Sequence, residues 1–377
     1  MKRKWFYLIF LFTMSLIIAC QNREGMTDPG EEELVKRAKE IHDRVLTLDT
    51  HVDIEVSFIT PEFYFGRNNE KLVTLPQMEK GGLNAVFFAV YSPQGPRTEE
   101  GYKKIREQAL EKLGDIHTAI KETHPDRIEL ALHPEEVRRI YAANKKVAMI
   151  GMENGYPIGE DLASLKEFFD LGCRYITLCH DGHNQICDSH DSRKEPASIH
   201  GGLSEFGNDV IKEMNRLGII VDISHMSKQS MLNTVRLSEA PVIASHSSCR
   251  ALCNVSRNLD DEQLLALKEN GGVIHIVGIN FFIKKAKFPP ANVKDLVDHI
   301  EHAVNLIGVD HVGISSDFYK KRSCLDGWKD AGETFNVTLE LVRRGYTEEQ
   351  IAKIWSGNCL RVWEKVEGVA KRHQANN

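Results

Sequence analysis

Six apolar runs in this sequence stop on an imidazole or a carboxylate. His51 and Asp53 close the first, Glu153 closes VAMIGME, His180 closes RYITLCH, His225 closes GIIVDISH, His246 closes PVIASH and Asp317 closes HVGISSD. A buried strand should be apolar, so charge placed where a run ends needs a reason. His51 and Asp53 are two apart, and in an extended chain residues i and i+2 point the same way, so both can reach one ion. With Glu153, His225 and His246 they make three imidazoles and two carboxylates without a thiolate. That set suits zinc or a related divalent ion in a catalytic site that keeps a position open for water. Five ligands exceed the need of one four-coordinate ion, and a bridging carboxylate at Glu153 makes two ions sensible, with a shared water that becomes hydroxide near neutral pH. Each residue alone has a plainer reading: a solvated turn for the His51/Asp53 pair, a core histidine for His225 or His246. The whole set points to metal.

Such residues must be brought together by the elements that carry them. Eight short apolar, β-rich runs alternate with amphipathic stretches: 45–51, 83–91, 147–153, 174–180, 218–225, 241–246, 271–278 and 311–317. Alternation of this kind signals βα units and a parallel sheet, and eight strands close a barrel. The expected fold is therefore α/β, a TIM-type (β/α)8 barrel whose C-terminal mouth collects the strand-end residues. Helices are expected at 101–122, 162–172, 206–218, 228–239, 259–271 and 293–308, several stopping at glycine. Residues 347–368 read as one or two further helices outside the barrel. No internal linker divides residues 33–370, which are expected to form one domain.

The 377 residues, 42% hydrophobic and 27% charged, suit a folded chain with ample core. A formal charge of −6 and the lack of a long Lys/Arg block argue against a nucleic-acid partner and favour small molecules. Residues 1–20 read as a leader: Lys2, Arg3 and Lys4, then an apolar run, then Ile17-Ile18-Ala19-Cys20, which resembles the lipobox of bacterial lipoproteins. Cys20 would be the lipidation site and residues 21–32 a flexible tether, anchoring the domain to a membrane of the bacterial cell envelope, in the periplasm or at the cell surface. Of the eight cysteines, seven then remain, an odd number without a CxxC pair. They read as small buried residues with one disulfide at most.

His180 and His183 both lie in HDGHN, and His180, directly at the run's end, is the better candidate for substrate contact. His190, His200, His275, His302 and His311 read as structural or surface residues. The order and length of DTHVD (49–53), GMENG (151–155), YITLCHDGHN (175–184), LSEFGNDVIKEMNRLGIIVDISHMS (203–227), PVIASHSSCRALCNVSRNLDDE (241–262) and GISSDF (313–318) resemble the membrane dipeptidases, zinc peptidases on amidohydrolase-like barrels, over residues 40–367. The resemblance implies that His51 and Asp53 bind one zinc, His225 and His246 a second, and that Glu153 bridges them. It further implies that His180 contacts the scissile region or stabilises the oxyanion, that Arg257 grips the substrate carboxylate, and that Asp317 handles protons. Dipeptides, those with a C-terminal D-residue included, are the implied substrates, attacked by a metal-bridging hydroxide, and a homodimer is compatible. Two loops depart from the family pattern: Tyr319 stands where a second Asp is usual, and HDGHNQICDSHD is richer in His and Asp. Against this stand another two-metal hydrolase on the same barrel, acting on a lactone, phosphoester or amide, and a non-catalytic metal-binding envelope lipoprotein.

Overall fold

Stretches of β-branched and aromatic residues such as AVFFAVY and VIHIV, buried on both faces, turn the apolar runs into strands. In the computed structural model, which describes residues 29–53, 72–285, 289–319 and 321–376, they are β1 (Leu48–Asp53), β2 (Ala85–Tyr91), β3 (Ile128–Leu130), β4 (Lys146–Glu153), β5 (Cys173–Thr177), β6 (Ile220–Asp222), β7 (Ile243–Ser247), β8 (Val273–Val277) and β9 (Val312–Ser315). Eight pair in the order β1-β2-β4-β5-β6-β7-β8-β9, every pair parallel. The ends of this path meet where Asp317 N donates to His51 O at 3.0 Å and Thr50 Oγ1 donates to Ile314 O at 3.2 Å. The result is a nearly closed TIM-type barrel, as expected. The sequence reading missed β3, which pairs only with Lys146–Ala148 at the start of β4, on the edge that β5 takes up from Ile150 onward.

The crossovers are α3 (Glu99–Thr118), α4 (Pro134–Ala142), α5 (Ala163–Asp170), α6 (Glu205–Leu217), α7 (Lys228–Leu237), α8 (Asp261–Asn270) and α10 (Val293–Ile307), with α2 (Leu75–Gly81) between β1 and β2 and the short α9 (Asn280–Ile283) after β8. Ser204, Ser227 and Asp260 accept backbone N–H groups at the starts of α6, α7 and α8, and Gly218 and Gly271 end α6 and α8 in the left-handed conformation. Helix α1 (Pro29–Arg44) begins inside the stretch expected to be a tether, because Pro29 suits a first turn and Glu31 and Glu32 face the positive end of the helix dipole. Residues 1–28, including Cys20, lie outside the described residues.

Strand residues divide into two layers. Val86, Phe88 and Val90 face the surrounding helices, whereas Ala85, Phe87, Val147, Met149 and Tyr175 fill the barrel. After α11 (Phe335–Arg343) and α12 (Glu348–Ala352), helix α13 (Asn358–Ala375) packs Trp363 on Phe87 at 5.8 Å between ring centres. The expected outer helix thus plugs the end where the strands begin, opposite the site, and Asn358 Nδ2 holds the carbonyls of Val309 and Val312. All seven described cysteines are buried free thiols, and no disulfide joins any two of them. Burial holds the thiols of Cys173, Cys249 and Cys359 up at about 12.

Two motif glycines serve packing. A Cβ on Gly151 would lie 2.1 Å from the Tyr175 ring, and one on Gly313 2.3 Å from the His275 ring. His275 is enclosed there, with Nδ1 on the Ala244 carbonyl at 3.1 Å, and burial pushes its pKa down to about 4. An unfolded histidine titrates near 6.5, so the unfolded chain takes the proton first. This part of the stability is present in full above about 6.5 and lost as the pH falls towards 4, on the order of 3 kcal/mol. Urea melts of the metal-free protein at pH 7.5 and 4.5 should show a smaller acid loss for His275→Gln than for the wild type; equal losses would assign the acid sensitivity to other groups.

Candidate metal centre

The strand ends that carry the candidate ligands are staked by buried carboxylates. Asp49 Oδ1 accepts from the backbone N–H of His51 (3.3 Å) and Ser316 (2.9 Å), so one side chain ties β1 to the turn before Asp317. Burial pushes the Asp49 pKa up to about 6. Asp222 does the same between β6 and β7, where the ladder is reduced to one residue pair: Oδ1 accepts from Ser224 N and Ser245 N, and Oδ2 from Ser245 Oγ and Thr177 Oγ1. Register breaks fall between Asp49 and Val52 and between Ala244 and Ser247, the stretches that hold His51 and His246. Such irregularities re-aim side chains. His225 and Asp317 sit at φ 66° and 53°, a strained region for non-glycine residues that recurs at functional sites.

The residues named from the sequence converge. Glu153 divides its carboxylate: Oε1 is 3.0 Å from His225 Nε2 and 3.2 Å from His246 Nε2, while Oε2 is 3.6 Å from His51 Nε2. His51 Nε2 and Asp53 Oδ1 are 3.3 Å apart, both buried, and neither has a hydrogen-bond partner among the described residues. His180 Nε2 is 3.6 Å from Glu153 Oε1.

Hydrogen bonds fix two tautomers. The Ser245 hydroxyl proton goes to Asp222, so Ser245 Oγ accepts from His246 Nδ1 at 2.7 Å. Asp181 Oδ1 can only accept, so His225 Nδ1 donates to it at 3.2 Å. In the neutral rings both Nε2 atoms then carry lone pairs, 3.1 Å apart, and both face an ionised carboxylate oxygen. Three acceptors at that spacing need a cation between them. Four groups of three potential ligands lie here, and Glu153 belongs to two of them: His51/Glu153/His246 and Glu153/His180/His225. The donors are nitrogen and oxygen throughout, which fits zinc.

The charges agree. Burial alone would lower the His51 pKa, but Glu153 and Asp53 outweigh it and raise it well above the ordinary value. Burial, then the neighbouring Asp53, raises the Asp317 carboxyl well above the usual range. The site thus calls for positive charge, which bound cations would supply.

Above it opens a cleft of about 460 Å³, with Asp53, Glu153, His180, His225, Arg257 and Asp317 along its floor. Tyr91, Lys112, Phe281, Phe282 and Tyr319 form its walls. Arg257 is 4% exposed, donates through Nη1 to Ser247 Oγ at 2.8 Å and lies over the Phe282 ring at 5.6 Å. Its Nε and Nη2 are buried without partners among the described residues, donors left over for an anion. Tyr319 accepts from Ser323 Oγ at the rim.

His183 is buried with Nε2 on the Pro196 carbonyl, which leaves His180 as the histidine of HDGHN that lines the cleft. His200, His302 and His311 bond to Asn184 O, Asp261 and Gly272 O, away from it. His190 corrects the sequence reading: it lines the cleft and bonds to Asp181 at 2.9 Å. Sequence reasoning also missed Asp181, and Tyr175, whose hydroxyl meets His51 Nδ1 at 2.8 Å. The density of His and Asp in HDGHNQICDSHD was the available signal for Asp181 and His190.

A parallel barrel with imidazoles and carboxylates converging at its C-terminal mouth defines a metal-dependent hydrolase of the barrel type. Comparison with known proteins narrows this. Residues 35–377 match the family described as membrane dipeptidase, peptidase family M19, and the chain belongs to that family. Dipeptidase tcpJ of Claviceps purpurea is 37% identical over 303 residues, 79% of this chain and 70% of that protein. Dipeptidase ataJ of Aspergillus terreus is 33% identical over 379 residues, covering 93% and 91%. The crystal structure of the probable dipeptidase PvdM from Pseudomonas aeruginosa superposes with a TM-score of 0.85 at 29% identity, over 90% of this chain and 100% of that one. The protein is a metallo-dipeptidase, and the readings as a lactone or phosphoester hydrolase or as a non-catalytic lipoprotein give way.

Proposed function

We propose that the protein hydrolyses free dipeptides with two zinc ions, one held by His51 and Asp53, the other by His225 and His246, and both by Glu153. The observation that carries this reading is the division of the Glu153 carboxylate, one oxygen towards His225 and His246 and the other towards His51. Zinc bound there would supply a water acidic enough to act as a hydroxide nucleophile near neutral pH and would polarise the scissile carbonyl. The chain's own side chains do the rest. Arg257 offers its two unpaired N–H groups to the C-terminal carboxylate. That carboxylate is common to L and D C-terminal residues, so both fall within the proposal. His180, on the cleft floor with its ring edge against Tyr91 at 4.9 Å, donates to the oxygen that becomes anionic. Asp317, in the cleft and within reach of His51 and Asp53, takes a proton from the nucleophile's side and passes it to the departing amine.

Asp317→Asn is expected to lower kcat by roughly 100- to 10,000-fold while the zinc content stays at the wild-type level; parallel loss of both would remove the assigned role. The whole reading is tested with a panel of L,L and L,D dipeptides, N-blocked dipeptides and a tripeptide. Cleavage confined to free dipeptides and abolished by chelation is the expected result. The lipid anchor on Cys20 and the placement in the bacterial cell envelope remain part of the proposal and rest on the leader sequence alone.

A further inference from the structure

The loop between β5 and α6 wraps around His225. Its backbone is tied to that residue by His190 N donating to His225 O at 2.8 Å and by Ser189 Oγ, which is shared between His180 O and His225 O. Within the wrap, Asp181 Oδ1 accepts from His225 Nδ1 at 3.2 Å and from His190 Nε2 at 2.9 Å, while Oδ2 accepts from Arg193 Nη2 at 3.0 Å. With Nε2 protonated towards Asp181, His190 Nδ1 accepts from Ser256 Oγ at 3.0 Å. Ser256 immediately precedes Arg257. A continuous chain, His225–Asp181–His190–Ser256, therefore joins the zinc pocket to the segment that carries the carboxylate clamp.

We propose that Asp181 is a positioning residue that holds the His225 ring by Nδ1 with Nε2 directed at Glu153, and that His190 couples this arrangement to the Arg257 segment. A carboxylate on the far nitrogen of a ligating imidazole fixes its tautomer and orientation and raises its basicity. Asp181, His190 and His225 also sit close enough to offer a third cation three ligand atoms. Arg193 and His190 already occupy both oxygens of Asp181, which favours the hydrogen-bonded chain over a third ion. The coupling explains why a loop rich in His and Asp borders the cleft without supplying one of the five proposed ligands.

The inference rests on the two-zinc reading, and zinc titrations of the metal-free full-length protein, with kinetics on one free dipeptide, separate the two. Failure of the wild type to bind two zinc ions would sink the underlying reading. If it binds two, Asp181→Ala should weaken one of them by about 10- to 100-fold and leave the other near its wild-type affinity. Asp181→Asn, which keeps an oxygen for the His225 N–H, should recover most of that loss. His190→Ala and Ser256→Ala should keep both zinc affinities within about threefold and raise KM by about fivefold, the worth of one hydrogen bond, with a smaller change in kcat. These two carry the test by themselves if Asp181→Ala melts at a much lower temperature. Wild-type zinc affinity in Asp181→Ala, an unchanged KM in both His190→Ala and Ser256→Ala, or a third zinc in the wild type that Asp181→Ala removes while the other two keep full affinity would each overturn the proposal.

Discussion

Glu153→Ala is expected to lower kcat/KM for a free dipeptide by roughly 10,000-fold or more, about 5.5 kcal/mol of transition-state stabilisation, and to reduce bound zinc from two ions per chain to one or none. Each oxygen of this carboxylate serves a different group of histidines, so its loss strikes both proposed sites at once. It also leaves the two Nε2 lone pairs of His225 and His246, 3.1 Å apart, without the negative charge that balances a cation between them. Substitution at His51 or His246 removes one ligand from one site; substitution at Glu153 removes one from each. Kinetics paired with elemental analysis of the purified variant measures both effects. A variant that keeps two ions and loses only activity would make Glu153 a proton-handling residue rather than a bridge.

Arg257→Ala is expected to lower kcat/KM by roughly 100-fold or more on free dipeptides, since removing one partner of a buried charged pair costs about 2–5 kcal/mol. The signature lies in the comparison of substrates. Wild-type enzyme should strongly prefer a dipeptide with a free C-terminal carboxylate over its C-terminal amide, and in the variant that preference should nearly vanish. Arg257→Lys should recover little: Nη1 is held by Ser247 and the guanidinium rests over Phe282, leaving the rest of a planar fork that an ammonium does not reproduce. Equal losses on acid and amide would assign Arg257 to the integrity of the cleft instead.

The barrel was legible because its strands obey a simple rule, an apolar run ending on a polar residue, and that rule carried His51, Asp53, Glu153, His225 and His246 to one mouth. The period-two placement of His51 and Asp53 survives the register break in β1, and the two side chains meet. What lies beyond the strand ends was less legible. Strand β3 has three residues and borrows part of an edge, too short for periodicity to mark. The partners that fix the ligands, Tyr175 on His51, Ser245 on His246 and Asp181 on His225, are chosen by how strands and loops meet in space. Only the density of His and Asp in HDGHNQICDSHD hints at Asp181; no local pattern announces Tyr175 or Ser245. His190 reads as a structural or surface residue because it closes no apolar run, and becomes a cleft residue only because the loop folds back over His225. Arg257 is similar: an arginine in a polar segment suggests a surface ion pair, and the structure buries it with two donors unpaired.

The proposed two-zinc site is tested most directly by titrating metal-free enzyme with zinc while following both the ions bound and the hydrolysis of a free dipeptide, with anomalous diffraction locating the ions in the loaded protein. Two ions per chain, with Glu153 between them and activity appearing as the second site fills, is the expected result. Full activity with a single bound ion, or two ions lodged away from Glu153, would contradict it.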